Sequence, residues 1–223
     1  MTTEFVTELF DAPNAQLIID RVQVMLNDEK KRRLEFYEWL QDDVKAEFIN
    51  GEVIMHSPVK RRHLRASKRL FRLMYDYIET NDLGEVDTEK ALVALTRNDY
   101  EPDICFWRKE VADEFDDDMM LHPAPDLVVE ILSKSTAKRD RGVKFEDYAA
   151  HGVREYWLVD PIRQTVEQFR LDEEFMAFDA VGNYHLTDTL TALTLPGFSI
   201  PVRAIFEQDA NAETLRTLLN GDS

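Results

Sequence analysis

A strand, a helix and a second apolar strand follow one another between Asp126 and Asp160, and this order constrains the fold more than any other stretch of the chain. Asp126 to Leu132 and Glu155 to Asp160 read as short, largely buried strands, the second stopped by Pro161. Between them, Thr136 to Ala150, closed by His151-Gly152, reads as a helix. Two strands joined by a helical crossover are expected to be parallel neighbours in one sheet. The other elements have to be arranged around that pair.

Ala46-Glu47-Phe48-Ile49 and Glu52-Val53-Ile54-Met55 flank Asn50-Gly51, a dipeptide that favours a tight hairpin because both turn residues must take positive φ. After Ser57-Pro58 a helix is expected from about Lys60 to Glu79, with Leu64, Phe71, Met74 and Ile78 on its apolar stripe. Ala91 to Leu95 and Asp103 to Trp107 supply two further strands, and the acidic stretch to Met120 is a helix or loop. From Thr165 to about Pro201 short antiparallel strands are expected, with turns at Val181-Gly182-Asn183 and Pro196-Gly197, before a last helix from about Ala212 to Leu219. Ala15 to Leu40 reads as mostly helical, with Leu17, Ile18, Val22, Val24 and Met25 as an imperfect apolar stripe suited to dimerisation. The expected organisation is a helical arm over residues 1–41, an α/β domain with a mixed central sheet and a C-terminal antiparallel extension over 42–208, and a C-terminal helix and tail over 209–223, assembled as a homodimer.

At 223 residues the chain buries a sizeable core. No stretch approaches the roughly 18 apolar residues of a membrane helix, so a cytoplasmic protein with no membrane partner is expected. The single cysteine, Cys105, excludes an intrachain disulfide and a cysteine-rich zinc site and reads as core packing. A formal net charge of −17 argues against a nucleic-acid partner, but the charge is unevenly distributed. Lys60, Arg61, Arg62, Arg65, Lys68, Arg69 and Arg72 form one basic cluster, and Lys134, Lys138, Arg139, Arg141 and Lys144 form another, while acid gathers in Glu110 to Asp118 and Asp172 to Glu174. Such asymmetry fits one face meeting an anion; the alternative is two solvated helix faces.

Asp103 and Glu130 stand in apolar strands, where an ionised carboxylate is expensive unless it is paired or holds a metal. Period-two alternation puts Glu130 on one face with Val128 and Leu132. If Asp103 opens an adjacent strand, the two acids converge on one divalent ion, which suits Mg²⁺ or Mn²⁺ because magnesium takes one or two carboxylates and fills its shell with water and phosphate oxygens. That pattern points to phosphodiester hydrolysis, with Lys144 orienting or deprotonating the attacking water, or balancing charge in the transition state. The competing account of Asp103 and Glu130 is a structural ion pair with nearby arginines.

Taken together, these residues resemble the Uma2-like (DUF820) family, grouped with the PD-(D/E)XK restriction-endonuclease-like nucleases. The resemblance runs from about Glu47 to Phe206. It rests on Phe48-Ile49-Asn50-Gly51-Glu52-Val53 with His56-Ser57-Pro58, on Pro102-Asp103-Ile104, on Pro125 to Ser133, on Asp140, Arg141, Lys144 and Tyr148, and on Gly152 to Pro161, in that order. It implies a restriction-endonuclease-like fold and a Mg²⁺-dependent endonuclease acting on nucleic acid, DNA being the expected substrate. The acidic pair maps onto Asp103 and Glu130 as metal ligands. In the parent motif a lysine stands two residues after the second acid; here that position is Leu132, and the resemblance implies that Lys144 supplies the cation from the following helix. Arg141 and Lys138 are alternative sources.

Glu47 is the candidate third acid, or else an exposed strand glutamate, and His63 a supporting group at the start of the basic helix, or else incidental. Arg61, Arg62, Arg65, Lys68, Arg69, Lys138 and Arg141 are the expected nucleic-acid contacts. Asp126 reads as a turn acceptor, and Tyr156 and Trp157 as core aromatics. The acidic net charge and the absent strand lysine favour a different class, a non-catalytic nuclease-fold protein that binds nucleic acid or another protein.

Overall fold

The computed structural model describes residues 2–41, 44–88 and 90–220. The expected junction at residue 42, and residues 221–223 of the expected tail, lie outside them. Two helices open the chain, α1 (Thr2–Asp11) and α2 (Ala15–Trp39), followed by the hairpin β1 (Ala46–Ile49) and β2 (Glu52–Met55). Asn50 and Gly51 take φ of 51° and 82°, the positive pair that the turn requires. Next come α3 (Arg61–Asn81), β3 (Gly84–Asp87), β4 (Leu92–Ala94), β5 (Asp99–Tyr100), β6 (Ile104–Arg108), the short α4 (Lys109–Ala112) and β7 (Leu121–His122). The central crossover is β8 (Leu127–Ile131), α5 (Ala137–Asp140), α6 (Val143–Ala150) and β9 (Glu155–Asp160). After it run β10 (Thr165–Asp172), β11 (Ala177–Tyr184), β12 (Thr189–Thr191), β13 (Ser199–Pro201), α7 (Arg203–Phe206) and α8 (Gln208–Asn220).

The main sheet has the order β11-β10-β9-β8-β6-β3; β8 and β9 are the expected parallel pair, and the other neighbours are antiparallel. Side-chain alternation divides it into two apolar faces. Ile104, Phe106, Leu127, Val129, Ile131, Trp157 and Val159 pack against Leu70, Leu73, Met74 and Ile78 of α3. Cys105, Trp107, Val128, Leu132, Tyr156 and Leu158 pack against Tyr148 of α6 and against Val93 and Tyr100 of the second sheet, β2-β1-β5-β4-β7. Tyr156, Trp157 and Cys105 are core residues, as read from sequence.

Three local expectations are corrected. The crossover helix breaks at Arg141-Gly142 into α5 and α6, because Gly142 leaves helical dihedrals (φ −122°, ψ −107°). Gly182 lies inside β11 at a bulge, where the register passes from Gln168↔Gly182 to Phe169↔Ala180, and the hairpin turn is at Glu173 to Met176, capped by Asp172 accepting from Glu174 N–H at 2.9 Å. In α3, Leu64 is exposed and His63, Ala66 and Ser67 take its place on the buried face.

Two polar groups tie the peripheral elements to the sheet. Arg33 of α2 donates to Asp99 Oδ2 at 2.7 Å and to the carbonyls of Leu95, Thr96 and Asn98, fixing the C-terminal half of α2 on the second sheet. Glu155, fully buried on β9, accepts from Trp157 Nε1 (2.6 Å), Gln168 Nε2 (2.7 Å), the N–H groups of Leu193 and Thr194 and the Thr194 hydroxyl (each 2.8 Å). It therefore organises the C-terminal extension. Glu155→Ala takes the acceptor from two buried donors, Trp157 Nε1 and Gln168 Nε2, at about 1–3 kcal/mol each, so a loss of at least about 2 kcal/mol is expected, read as a lowered urea midpoint.

Candidate active site

Four elements bring their ends to one cavity of about 450 Å³. The end of β8 supplies Glu130, the entry to β6 supplies Asp103 and Glu101, the start of α3 supplies His63, and the first turn of α6 supplies Lys144. Because β6 and β8 are antiparallel with Ile104 opposite Val129, Asp103 stands beside Glu130 one position beyond the ladder, where its Oδ2 accepts from the Ile131 N–H at 2.7 Å. The hairpin closes one wall with Lys45, Met55, His56, Ser57, Pro58 and Val59, and the segment after β8 closes the other with Ser133, Ser135, Thr136 and Arg139.

Lys144 is the hub. Its side chain is 2% exposed, and Nζ lies 2.6 Å from Glu47 Oε1, 2.8 Å from Glu130 Oε1 and 4.0 Å from Asp140 Oδ1. Glu47, on β1, is completely buried rather than an exposed strand glutamate; its Oε1 also accepts from the Glu101 N–H at 3.1 Å, and its Oε2 faces His56 Nε2 at 3.2 Å. His63 Nε2 lies 3.2 Å from Asp103 Oδ2. All five sequence candidates, Glu47, His63, Asp103, Glu130 and Lys144, thus meet in one polar cluster.

The electrostatics divide the carboxylates. Burial pushes Glu47 up, but Lys144 and His56 together overcome it and hold the carboxyl at about 2. Burial likewise opposes ionisation of Asp103, which the His63 ring and the Ile131 N–H outweigh, leaving it below its usual range. For Glu130 burial wins: with Asp140, Asp103 and Glu47 nearby, its affinity for a proton rises well above normal despite Lys144. Burial of Lys144 disfavours its charge, yet Glu130, Glu47 and Asp140 hold its pKa well above normal. Glu101, raised by burial to about 7, and Asp140, raised by the same cause, complete the set.

Behind the cavity wall, both Asp140 oxygens are buried without a hydrogen-bond partner; on the wall itself Glu101 Oε2 and Arg139 Nε are in the same state. Among the described residues no group of three or more His, Cys, Asp or Glu side chains forms a ready-made metal cage. The carboxylates that line the cavity, Asp103, Glu130 and Glu101, are oxygen ligands of the kind that suit a hard cation such as magnesium, which needs only one or two of them.

The expected nucleic-acid contacts do not converge on this cavity. Arg61, Arg62, Arg65 and Lys68 are exposed along α3; Arg69 donates to the Phe206 carbonyl; Lys138 is exposed outside the cavity; and Arg141 is engaged by Glu167 of β10 at 2.8 Å. Asp126, the expected turn acceptor, takes the Arg108 N–H at 3.0 Å and pairs with that guanidinium. Sequence reasoning missed Glu101, Asp140, His56, Lys45 and Arg139 as parts of the site. Glu101 and Asp140 were detectable in principle as acids flanking the motif residues at short spacing. Their burial depends on how the hairpin and the broken helix close over them, and no local pattern encodes that.

The Uma2 family model, described as "Putative restriction endonuclease", matches residues 33–203. Two relatives are both uncharacterized proteins of Synechocystis sp. The protein slr1290 is 27% identical over 179 residues, which is 77% of this chain and 89% of its own. The protein sll1609 is 28% identical over 144 residues, which is 62% of this chain and 80% of its own. A crystal structure described as that of "a putative nuclease belonging to DUF820" from Anabaena variabilis superposes with a TM-score of 0.66 at 16% identity, covering 81% of this chain and 97% of that one. This likeness establishes the fold as the restriction-endonuclease-like α/β type.

The opposite treatment of Glu47 and Glu130 gives a stability test in metal-free protein. Glu130→Gln should leave the melting temperature unchanged or raised, because it removes a charge that burial already opposes. Glu47→Gln should cost about 3 kcal/mol, since it breaks a buried pair. The stabilisation from Glu47 is fully present above an ordinary carboxylate pKa of about 4.3 and is lost as pH falls toward about 2. Glu47→Gln should accordingly flatten the acid limb of stability against pH, measured by urea unfolding.

Proposed function

The chain belongs to the Uma2 family, and from that membership and the cavity geometry we propose that it is a divalent-metal-dependent endonuclease that hydrolyses phosphodiester bonds, with DNA as the substrate. The observation that carries this is the meeting of Asp103, Glu130 and Glu101 in one cavity, next to a lysine kept charged by its neighbours. Asp103 and Glu130 are the metal ligands of this reading. With Asp103 Oδ2 occupied by His63 and the Ile131 N–H, Oδ1 is the oxygen left to face an ion. A bound Mg²⁺ or Mn²⁺ would supply Lewis-acid charge at the scissile phosphate and lower the pKa of water.

The chain's own groups do the rest. Because three carboxylates hold the proton on Lys144, this residue acts as a cation that offsets charge in the pentavalent transition state, and not as the base. Glu47 keeps Lys144 charged and in place, and Glu130 would help to hold the ion. His63 is oriented by Asp103 through Nε2 and has a buried Nδ1 without a hydrogen-bond partner; in this reading it relays a proton from the attacking water. Arg61, Arg62, Arg65 and Lys68 form an exposed basic face on α3 for the flanking backbone. The apolar residues Leu17, Val22, Val24 and Met25 of α2 are exposed and pair two copies of the chain through their arms. Val22→Asp with Met25→Asp should convert a dimer to a monomer in sedimentation velocity, and a wild type that sediments as a monomer would reject the arm as an interface.

In the presence of Mg²⁺ or Mn²⁺ the purified chain should nick or cut DNA, and Asp103→Asn, Glu130→Gln and Lys144→Ala should each remove the activity with losses that do not add. Magnesium should also raise the melting temperature of wild type and not of Asp103→Asn, because a ligand bound only by the folded state stabilises it by mass action. Equal rates for wild type and the triple variant on DNA and RNA would remove this reading.

A further inference from the structure

The wall of the cavity opposite the hairpin carries a guanidinium with no role in the chemistry above. Arg139 lines the cavity, and its Nε is buried without a hydrogen-bond partner. No ion pair engages it among the described residues, whereas Arg141, two residues on, is occupied by Glu167. Lining the same cavity, on the segment that leads to Arg139, are three hydroxyls: Ser133 Oγ lies 3.0 Å from Ser135 Oγ and 2.9 Å from Thr136 Oγ1, and it accepts the Thr136 N–H at 3.2 Å. Across the cavity Lys45 acts electrostatically on Glu101 and Asp103 from the hairpin side.

Polarity therefore changes sign with depth. The floor is made of acids around the Lys144 ammonium, while the lip offers a guanidinium, a second ammonium and hydroxyl protons that rotate toward an acceptor. A buried guanidinium N–H left unpaired is a destabilising arrangement that an incoming acceptor relieves. The planar donor fork of arginine matches a phosphate's oxygens, and the ring of hydroxyls beside it suits the same ligand.

We infer that Arg139, with Ser133, Ser135 and Thr136, forms a binding subsite for a backbone phosphate of a nucleic-acid strand, the one next to the phosphate over the acidic floor. Lys45 faces this phosphate from the hairpin. That the neighbouring phosphate is the scissile one rests on the nuclease reading; the contact at Arg139 needs no catalysis.

The test is titration of the full chain with a short fluorescein-labelled single-stranded DNA oligonucleotide in EDTA, where metal-dependent cleavage is absent, over a range of salt. Arg139→Ala should weaken binding about tenfold and flatten the slope of log K against log salt by about 0.7, the share of one phosphate contact on a single strand. Arg139→Lys should restore the slope without the full affinity, because the charge returns and the fork does not. Unchanged melting temperatures show that the variants are folded. An unchanged slope for Arg139→Ala, an equal loss from Lys138→Ala outside the cavity, or no binding by wild type would each overturn the subsite. Metal-dependent cleavage is scored separately. Arg139-dependent binding with no cleavage keeps the subsite and removes the nuclease, and cleavage with an unaltered Arg139→Ala slope does the reverse.

Discussion

One ammonium group buried among three carboxylates holds this site together. Lys144 joins β1 through Glu47, β8 through Glu130 and the end of α5 through Asp140, so a single side chain ties the hairpin, the central sheet and the crossover helix together. Removing so many charges from water is unfavourable by several kcal/mol per ion, and a buried ion pair is weak evidence for stability. Under the endonuclease reading its use lies in what the cluster binds. One positive charge does not offset the acids around it, and burial answers that deficit by raising the proton affinity of Glu130 and Asp140.

The fold prepares that deficit from both sides. The two faces of β8 send Val129 and Ile131 into one core and Val128 and Leu132 into the other, and Glu130, near the strand's end, lines the cavity. The break at Gly142 separates α5 from α6, with Asp140 buried at the end of the one and Lys144 buried in the first turn of the other. Against an overall charge of −17, the cations that matter are few and local: Lys45, Arg139 and Lys144 around one cavity. Surface charges more than a Debye length away, about 8 Å at physiological ionic strength, are largely screened, so the acidic total does not prevent an anion from docking here.

What the sequence made legible follows period and covalent geometry. The Asn50-Gly51 hairpin and the parallel pair of β8 and β9 are visible because positive φ, strand alternation and crossover length are local properties. Asp103, Glu130 and Lys144 stood out because charge inside apolar periodicity is anomalous. Gly182 was misread because a glycine in a bulge and a glycine in a turn leave the same trace, and only pairing with β10 distinguishes them. The basic clusters were misread for a related reason. Composition counts Arg69 and Arg141 as available cations, whereas the fold gives one to a carbonyl and the other to Glu167. Arg139, the cation left facing the cavity, looked no different from its neighbours.

The absent strand lysine gives the site its particular character. Leu132 packs into the core while its N–H bonds to the Val159 carbonyl at 2.8 Å, so the backbone at this position is as fixed as elsewhere in the strand and only the charge is missing. A lysine on that strand would take its position from the sheet. Lys144 takes its position from ion pairs, above all with Glu47, and this gives the hairpin a share in placing the ammonium that a strand lysine would not require. The charge on Lys144, the ionisation of Glu47 and the closure of β1 over the floor are therefore one coupled arrangement, and a change in any of them should be felt at Glu130.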